Sequence, residues 1–377
     1  MKRLILSALA LHLAASTAAA QGALTTQGLG FPPGQISTRS EGNGGATADF
    51  DAMSPINPAS LAGVGSASLF LQYAPEFRRV TTGSSSASTM TARFPIFGAV
   101  IPVGSSWSAG IGSSTFLDRS FETVSQRRDV VGDITDTVDV TEELRVLGAI
   151  NDVRLGLAWA GSPKLRIGAG AHLFTGSNRV RLRQTYTDSL GFLGNVQESS
   201  VAFTGLAGSV GFSYQPSRII GFAVSARKGG ELRAASGDTA LGDARIPDRI
   251  SAGVTYDGIT GANISARISR ELWSSLEGLA GSTETFDGWD ASVGAEASGP
   301  RIMQRIVTLR AGGRYRSLPF GFNGERVRET AFMAGFGVPL TRNRATFDFA
   351  VQRAARDASG SVDERAYILS FGLRVSP

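Results

Sequence analysis

From Ser66 onward, hydrophobic and polar positions alternate with a period of two. The closing stretch RAYILSFGLRV puts Tyr367, Leu369, Phe371, Leu373 and Val375 on one face. Ala366, Ile368, Ser370, Gly372 and Arg374 fall on the other. RATFDFAVQ likewise sets Ala345, Phe347, Phe349 and Val351 against Thr346, Asp348, Ala350 and Gln352. QRIVTLRAGGRYR, RISAGVTY and DVRLGLAWA repeat the arrangement, and their mixed faces carry Arg310, Arg314, Arg249 and Arg154. Period two is the signature of the two faces of a strand. A soluble sandwich also alternates, because one face of each sheet meets water. Here the charged face is heavy in Gly and Arg rather than Lys and Glu, as suits a crowded lumen. Trp159, Trp273 and Tyr315 lie near strand ends, as interfacial girdles do. The pattern predicts an all-β chain, a transmembrane antiparallel β-barrel.

Segments of this kind run over roughly 66–74, 87–101, 105–118, 141–160, 164–187, 198–214, 217–235, 247–257, 260–273, 286–298, 303–317, 327–340, 344–357 and 364–375. That makes about 14 strands, an even number as single-chain bacterial barrels require. The 119–150 region is left open to an extra pair or a long loop. Short turns such as GSPK and QPS alternate with longer polar ones such as TDSLGFLGN, which keeps short turns on the periplasmic side and long ones outside.

Upstream of the alternation the pattern changes twice. Residues 1–20 have the form of a signal peptide: Lys2 and Arg3, an apolar run from Leu4 to Ala15, then Ala18-Ala19-Ala20. Residues 21–65 are Gly- and Ala-rich and carry Asp49 and Asp51; residues 66–377 form the barrel. Elsewhere charges or glycines break every hydrophobic run before the roughly 20 residues a spanning helix needs.

Composition narrows the chemistry. The chain has no Cys, and its only histidines are His12, inside the leader, and His172. Cys-ligated and multi-His metal sites are thereby excluded, and a Ser-His-Asp hydrolase has one candidate base. No cofactor, metal or enzymatic activity is expected. Net charge is +5, and arginine supplies all but Lys2, Lys164 and Lys228 of the 37 basic residues. Those arginines are dispersed among nearly as many acids, which gives no nucleic-acid footprint.

The N-terminal stretch GNGGATADFDAMSPINPASLAG, ARIPDRISAGVTY (244–256) and the closing AGFGVPLTRNRATFDFAVQ with ERAYILSFGLRV resemble the FadL/TodX family of outer-membrane hydrophobic-compound transporters. Asn57-Pro58-Ala59 is also shared with related PorV-like barrels. The resemblance implies a fourteen-stranded barrel whose N-terminal segment folds inside as a hatch, matched here by Gly42 to Gly45, with Gly44 and Gly45, and by Asn57, Pro58 and Ala59. It implies an N-terminus reaching a pocket, for which Leu24, Leu29 and Phe31 are the apolar candidates. It further implies a sideways gap at a kinked third strand, for which Gly110 and Gly112 are candidates.

The implied function is passive, hatch-gated passage of small hydrophobic molecules such as fatty acids or aromatic hydrocarbons. The alternative is a PorV-like scaffold or secretion partner. The expected setting is the outer membrane, as a monomer among outer-membrane lipid and lipopolysaccharide, placed there by the barrel-assembly machinery. Arg154, Arg249, Arg310 and Arg314 read as lumenal charges paired with acids such as Asp348. His172 reads as a hydrogen-bonded lumenal filler. Asp49 and Asp51 read as caps of a short helix or as partners of those arginines. Phe116, Leu117, Phe192 and Leu193 read as residues of the outer loops.

Overall fold

The computed structural model describes residues 29–82, 85–130, 137–186, 194–279, 284–302, 304–322, 324–340, 344–358 and 362–376. Residues 1–20, Leu24, Phe192 and Leu193 lie outside the described residues. The wall is built from β1 (Ser68–Thr82), β2 (Ser85–Arg93), β3 (Ile96–Val103), β4 (Trp107–Asp118), β5 (Phe121–Val130), β6 (Thr137–Ser162), β7 (Leu165–Tyr186), β8 (Asn195–Tyr214) and β9 (Ile220–Ser236). It continues through β10 (Thr239–Arg245), β11 (Arg249–Ile259), β12 (Ala262–Glu271), β13 (Gly288–Ile302), β14 (Arg305–Phe322), β15 (Glu325–Leu340), β16 (Ala345–Ala358) and β17 (Val362–Val375).

These segments form one antiparallel sheet that closes when β1 pairs with β17. Three staves of the barrel consist of two segments each. β2 and β3 both pair with β1, β4 and β5 both pair with β6, and β10 and β11 both pair with β9. The result is a closed barrel of fourteen staves, the number the alternation predicted. Closure removes the unpaired strand edges that an open sheet would expose.

The alternation sorts the faces as expected for a membrane wall. Ile250 is 63% and Phe332 70% exposed, whereas their neighbours Arg249 and Ala331 are buried at 3% and 1%. An apolar face this exposed would aggregate in water; against lipid tails it meets a matching solvent. Trp107 and Trp159 face each other across β4 and β6 at the short-turn end, with ring centroids 6.3 Å apart, and Tyr315 is also outward. Trp273 departs from the girdle expectation. It opens a 3-10 helix (Trp273–Leu279) and is buried at 3%, stacked on Phe116 inside the barrel. Phe116 and Leu117 are interior wall residues of β4, not loop residues.

The N-terminal segment packs against inward-facing wall positions. It contains α1 (Thr38–Glu41) and a 3-10 helix (Pro58–Gly63). Ser37 caps the first, and Asn57 caps the second by accepting from the Ala59 N–H at 2.9 Å. The aspartates cap neither helix: Asp49 bonds the wall, and Asp51 accepts from Ser37, Ser40 and Ser54.

Candidate functional site

The wall receives the N-terminal segment at positions where it has no side chain. A Cβ on Gly211 would lie 1.9 Å from Asn57 Oδ1, and one on Gly168 would lie 2.4 Å from Pro58. Gly294 and Gly312 hold the same relation to Asn43, at 2.0 and 2.3 Å. The glycines of the alternating sequence are therefore seats for a second piece of backbone. On the segment's side, Gly44 and Gly45 adopt φ of +78° and +86°, a turn that L side chains rarely make. Asn57 then donates from Nδ2 to the carbonyls of Asp49 (2.9 Å) and Phe212 (3.3 Å), tying the segment to itself and to β8.

Buried charges finish the seating. Asp49 accepts from Ser225 (2.9 Å), Ser251 (2.5 Å) and Arg267 (2.9 Å). Gln35 accepts from Arg227 and Arg249, and its amide donates to Ser114 and Asp152 at 2.7 and 2.9 Å. Asp152 in turn accepts from His172 Nδ1 at 2.8 Å, and His172 Nε2 meets Ser209 Oγ at 2.8 Å. The serine that meets His172 is thus Ser209. It is buried with His172, and Gln35 closes the chain on the carboxylate.

Arg154, Arg249, Arg310 and Arg314 all face inward and are buried. Arg310 binds Glu296 (2.7 Å) and Asp348 (2.6 Å), and Arg314 binds Asp290 at 3.0 Å. Arg249 also donates to the Ile56 carbonyl at 3.1 Å. Arg154 makes no such pair, and its Nη1 is buried without a partner among the described residues.

Sequence reasoning missed the densest knot. Arg356 contacts Glu76 (2.9 Å), Glu329 (2.5 Å) and Glu364, and Arg316 adds Glu329 at 2.6 Å. The face of Phe31 is set against this knot. Its ring centroid lies 4.4 Å from the guanidinium of Arg356, 5.1 Å from that of Arg316 and 5.4 Å from that of Arg93. Cations over an aromatic face are attracted by its quadrupole, most strongly where water is excluded.

Phe31 also stands at a seam in the wall. β3 and β4 pair from Val103 with Trp107 as far as Ile96 with Ser114, and the Thr115 N–H then reaches the Pro95 carbonyl at 2.8 Å. Beyond that point, among the described residues, β2 pairs only with β1 and β5 only with β6. Pro95 supplies no N–H to continue the ladder. A register shift between Thr115 and Leu117 turns Phe116, Leu117 and Asp118 inward together. The N-terminal segment takes the freed edge: Phe31 N donates to Asp118 O at 2.7 Å, and Asp118 N to Phe31 O at 2.9 Å.

The third stave is therefore interrupted at Arg119 and Ser120. Gly110 and Gly112 lie in unbroken ladders instead, opposite Val100 and Gly98. Gly110 makes room for Leu61, whose methyl would be 2.9 Å from a Cβ there. Glycine signalled a close approach, and the bend came from the bulge and Pro95.

Behind the seam, on the long-turn side of the charge layer, lies an interior apolar cluster. Leu29, Phe116, Leu117, Phe174, Phe203 and Trp273 belong to it. Phe116 meets Phe174 edge-on at 4.9 Å and stacks on Trp273 at 5.1 Å. Toward the short-turn end a cavity of about 260 Å³ is lined by Arg39, Asp51, Gln72, Glu296, Arg310 and Asp348 among others, a far more polar place.

No family model matches the chain, and no curated protein matches it in sequence. Solved structures do match its fold. A Pseudomonas aeruginosa FadL homologue aligns with TM-score 0.60 and 12% identity, covering 92% of this chain and 99% of that one. The CymD monoaromatic hydrocarbon channel aligns with TM-score 0.55 and 15% identity, over 91% and 97%. The P. putida toluene transporter TodX aligns with TM-score 0.54 and 16% identity, over 92% and 98%. The chain has the FadL/TodX-like channel fold.

Proposed function

We propose that this barrel sits in the outer membrane, exported by the leader at 1–20, and conducts small apolar molecules through the seam between the second and third staves. The observation that carries this reading is Phe31, which fills the ladder gap between the second and third staves, beside the aromatic cluster. An apolar solute enters from the long-turn side, partitions into the cluster of Phe116, Phe174 and Trp273, and leaves sideways into lipid when Leu29 and Phe31 move. The N-terminal segment is the hatch: it occupies the lumen and denies water an axial path. A lateral exit suits such a solute, because it never has to cross the polar cavity below. Transport by the monoaromatic channels that share the fold agrees with this substrate class.

The test is uptake of toluene or a long-chain fatty acid into liposomes carrying the purified barrel. Faster uptake than into empty liposomes, lost when the seam is locked, is the expected outcome. Indifference to both solutes together with copurifying protein cargo would replace transport by the scaffold reading.

A further inference from the structure

Some outward-facing arginines of the upper wall are answered by acids. Arg145 and Arg181 stand directly opposite each other on β6 and β7, and Glu122 (3.8 Å) and Glu198 (3.4 Å) reach them. Where the barrel closes, no acid answers the outward-facing arginines. Arg79 on β1 and Arg365 on β17 are also directly opposite partners, both exposed. Arg353 on β16 projects from the same face, opposite Tyr367 and diagonal to Arg365. No carboxylate lies within ion-pair distance of these three arginines among the described residues; the one side-chain contact is Arg79 Nη2 donating to Ser86 at 3.2 Å. Directly opposed side chains sit about 5 Å apart, and like charges in that relation destabilise a sheet. The acids of this face, Asp357 and Asp363, oppose each other one row nearer the turn, with Arg328 across from Asp357. Counting all six, the face keeps an excess of two positive charges.

The row below is apolar and protrudes: Phe332, Tyr367 and Phe77 lie side by side across β15, β17 and β1, with Arg353 between the first two. Arg79 and Arg365 therefore lie one outward-facing row nearer the long turns than the exposed Phe77 and Tyr367. We propose that this face docks a phosphorylated, acylated glycolipid of the outer leaflet. Arg79, Arg353 and Arg365 clamp its phosphate, and Phe77, Tyr367 and Phe332 lie along its acyl chains. Arginine is the residue suited to this, since its planar fork pairs two phosphate oxygens at once and its charge never titrates away. The lipid anion also relieves the Arg79–Arg365 opposition, across the one strand pair that closes the barrel. The assignment rests on the outer-membrane placement proposed above.

The experiment is native mass spectrometry of the full-length barrel in detergent. The probes are a bis-phosphorylated, acylated glucosamine disaccharide, its dephosphorylated counterpart and inorganic phosphate. Wild type should retain the phosphorylated lipid, and Arg79→Gln with Arg365→Gln should lower retention roughly thirtyfold. Arg145→Gln with Arg181→Gln should leave it unchanged. Equal retention of the dephosphorylated lipid, retention by the first double variant, or displacement by equimolar inorganic phosphate would each overturn the assignment. If that variant fails the heat-shifted gel mobility of a folded barrel, Arg353→Gln alone takes its place. A barrel that inserts into outer-membrane lipid vesicles yet ignores the lipid phosphate overturns the docking and leaves the placement standing.

Discussion

At the scale of single residues, the contact between Asn57 and Gly211 explains the most with the fewest atoms. Asn57 caps its own 3-10 helix, holds Asp49 and reaches β8, all from full burial. Gly211 permits this only by lacking a Cβ. Gly211→Val should therefore expel the segment while the barrel stays closed, because the new carbon would stand 1.9 Å from Asn57 Oδ1 and cannot be absorbed. Hydrogen exchange checks this: amides of residues 49–61 should lose protection while the ladders of β7 and β8 keep theirs. Unchanged protection at Asn57–Leu61 would refute it. Asn57-Pro58-Ala59 was legible in sequence because a capping residue followed by proline is a local signature. The Arg356 knot was not legible. Glu76, Glu329 and Glu364 lie far apart in sequence, and only the closing of the barrel brings them to Arg356.

The same division appears at the scale of strands. Period two located nearly every strand core, yet β1 was expected to end at 74 and extends to Thr82. The missed part holds Glu76, Arg78 and Arg79, which look like a loop until two of them are seen facing a buried network and the third facing outward. In the open region 119–150, the described residues are 119–130 and 137–150. They continue the third stave as β5 and begin the fourth as β6. The third stave's interruption was placed at Gly110 and Gly112, but a single proline and a bulge lying farther along made it. The seam carries the element-scale prediction. Phe31 and Asp118 exchange both backbone hydrogen bonds, which sets their Cα atoms about 5.5 Å apart, inside the range a disulfide spans. The chain has no other cysteine, so Phe31→Cys with Asp118→Cys forms one unambiguous bridge. Oxidation should abolish uptake of an apolar solute and dithiothreitol should restore it. Uptake unaffected by oxidation would move the exit elsewhere.

For the whole molecule, the barrel and its N-terminal segment are held by different forces. Strand-to-strand ladders close the wall from β1 to β17, and among the described residues the only backbone-to-backbone bonds that residues 29–65 make to it are at Asp118. The segment is held by the wall's inward side chains: Arg267 on Asp49, Arg249 on Ile56, Arg316 on Pro32. Removing residues 29–63 should therefore leave a folded barrel with the heat-shifted gel mobility of its kind. Its lumen would then be lined by glycines and by Arg249, Arg267 and Arg316, each short of the bond it made to the segment. Water enters such a space readily, because the exposed guanidinium groups are hydrated more cheaply than they are buried unpaired. The expected result is a stable ionic conductance in a planar bilayer where the intact chain is closed, with anions favoured over cations by the uncovered Arg249, Arg267 and Arg316. The thermal midpoint should fall as well, since several buried charge-assisted bonds worth about 1.5–3 kcal/mol each are lost. A truncated barrel that folds yet conducts no ions would show that the side chains of the wall, rather than the N-terminal segment, form the barrier.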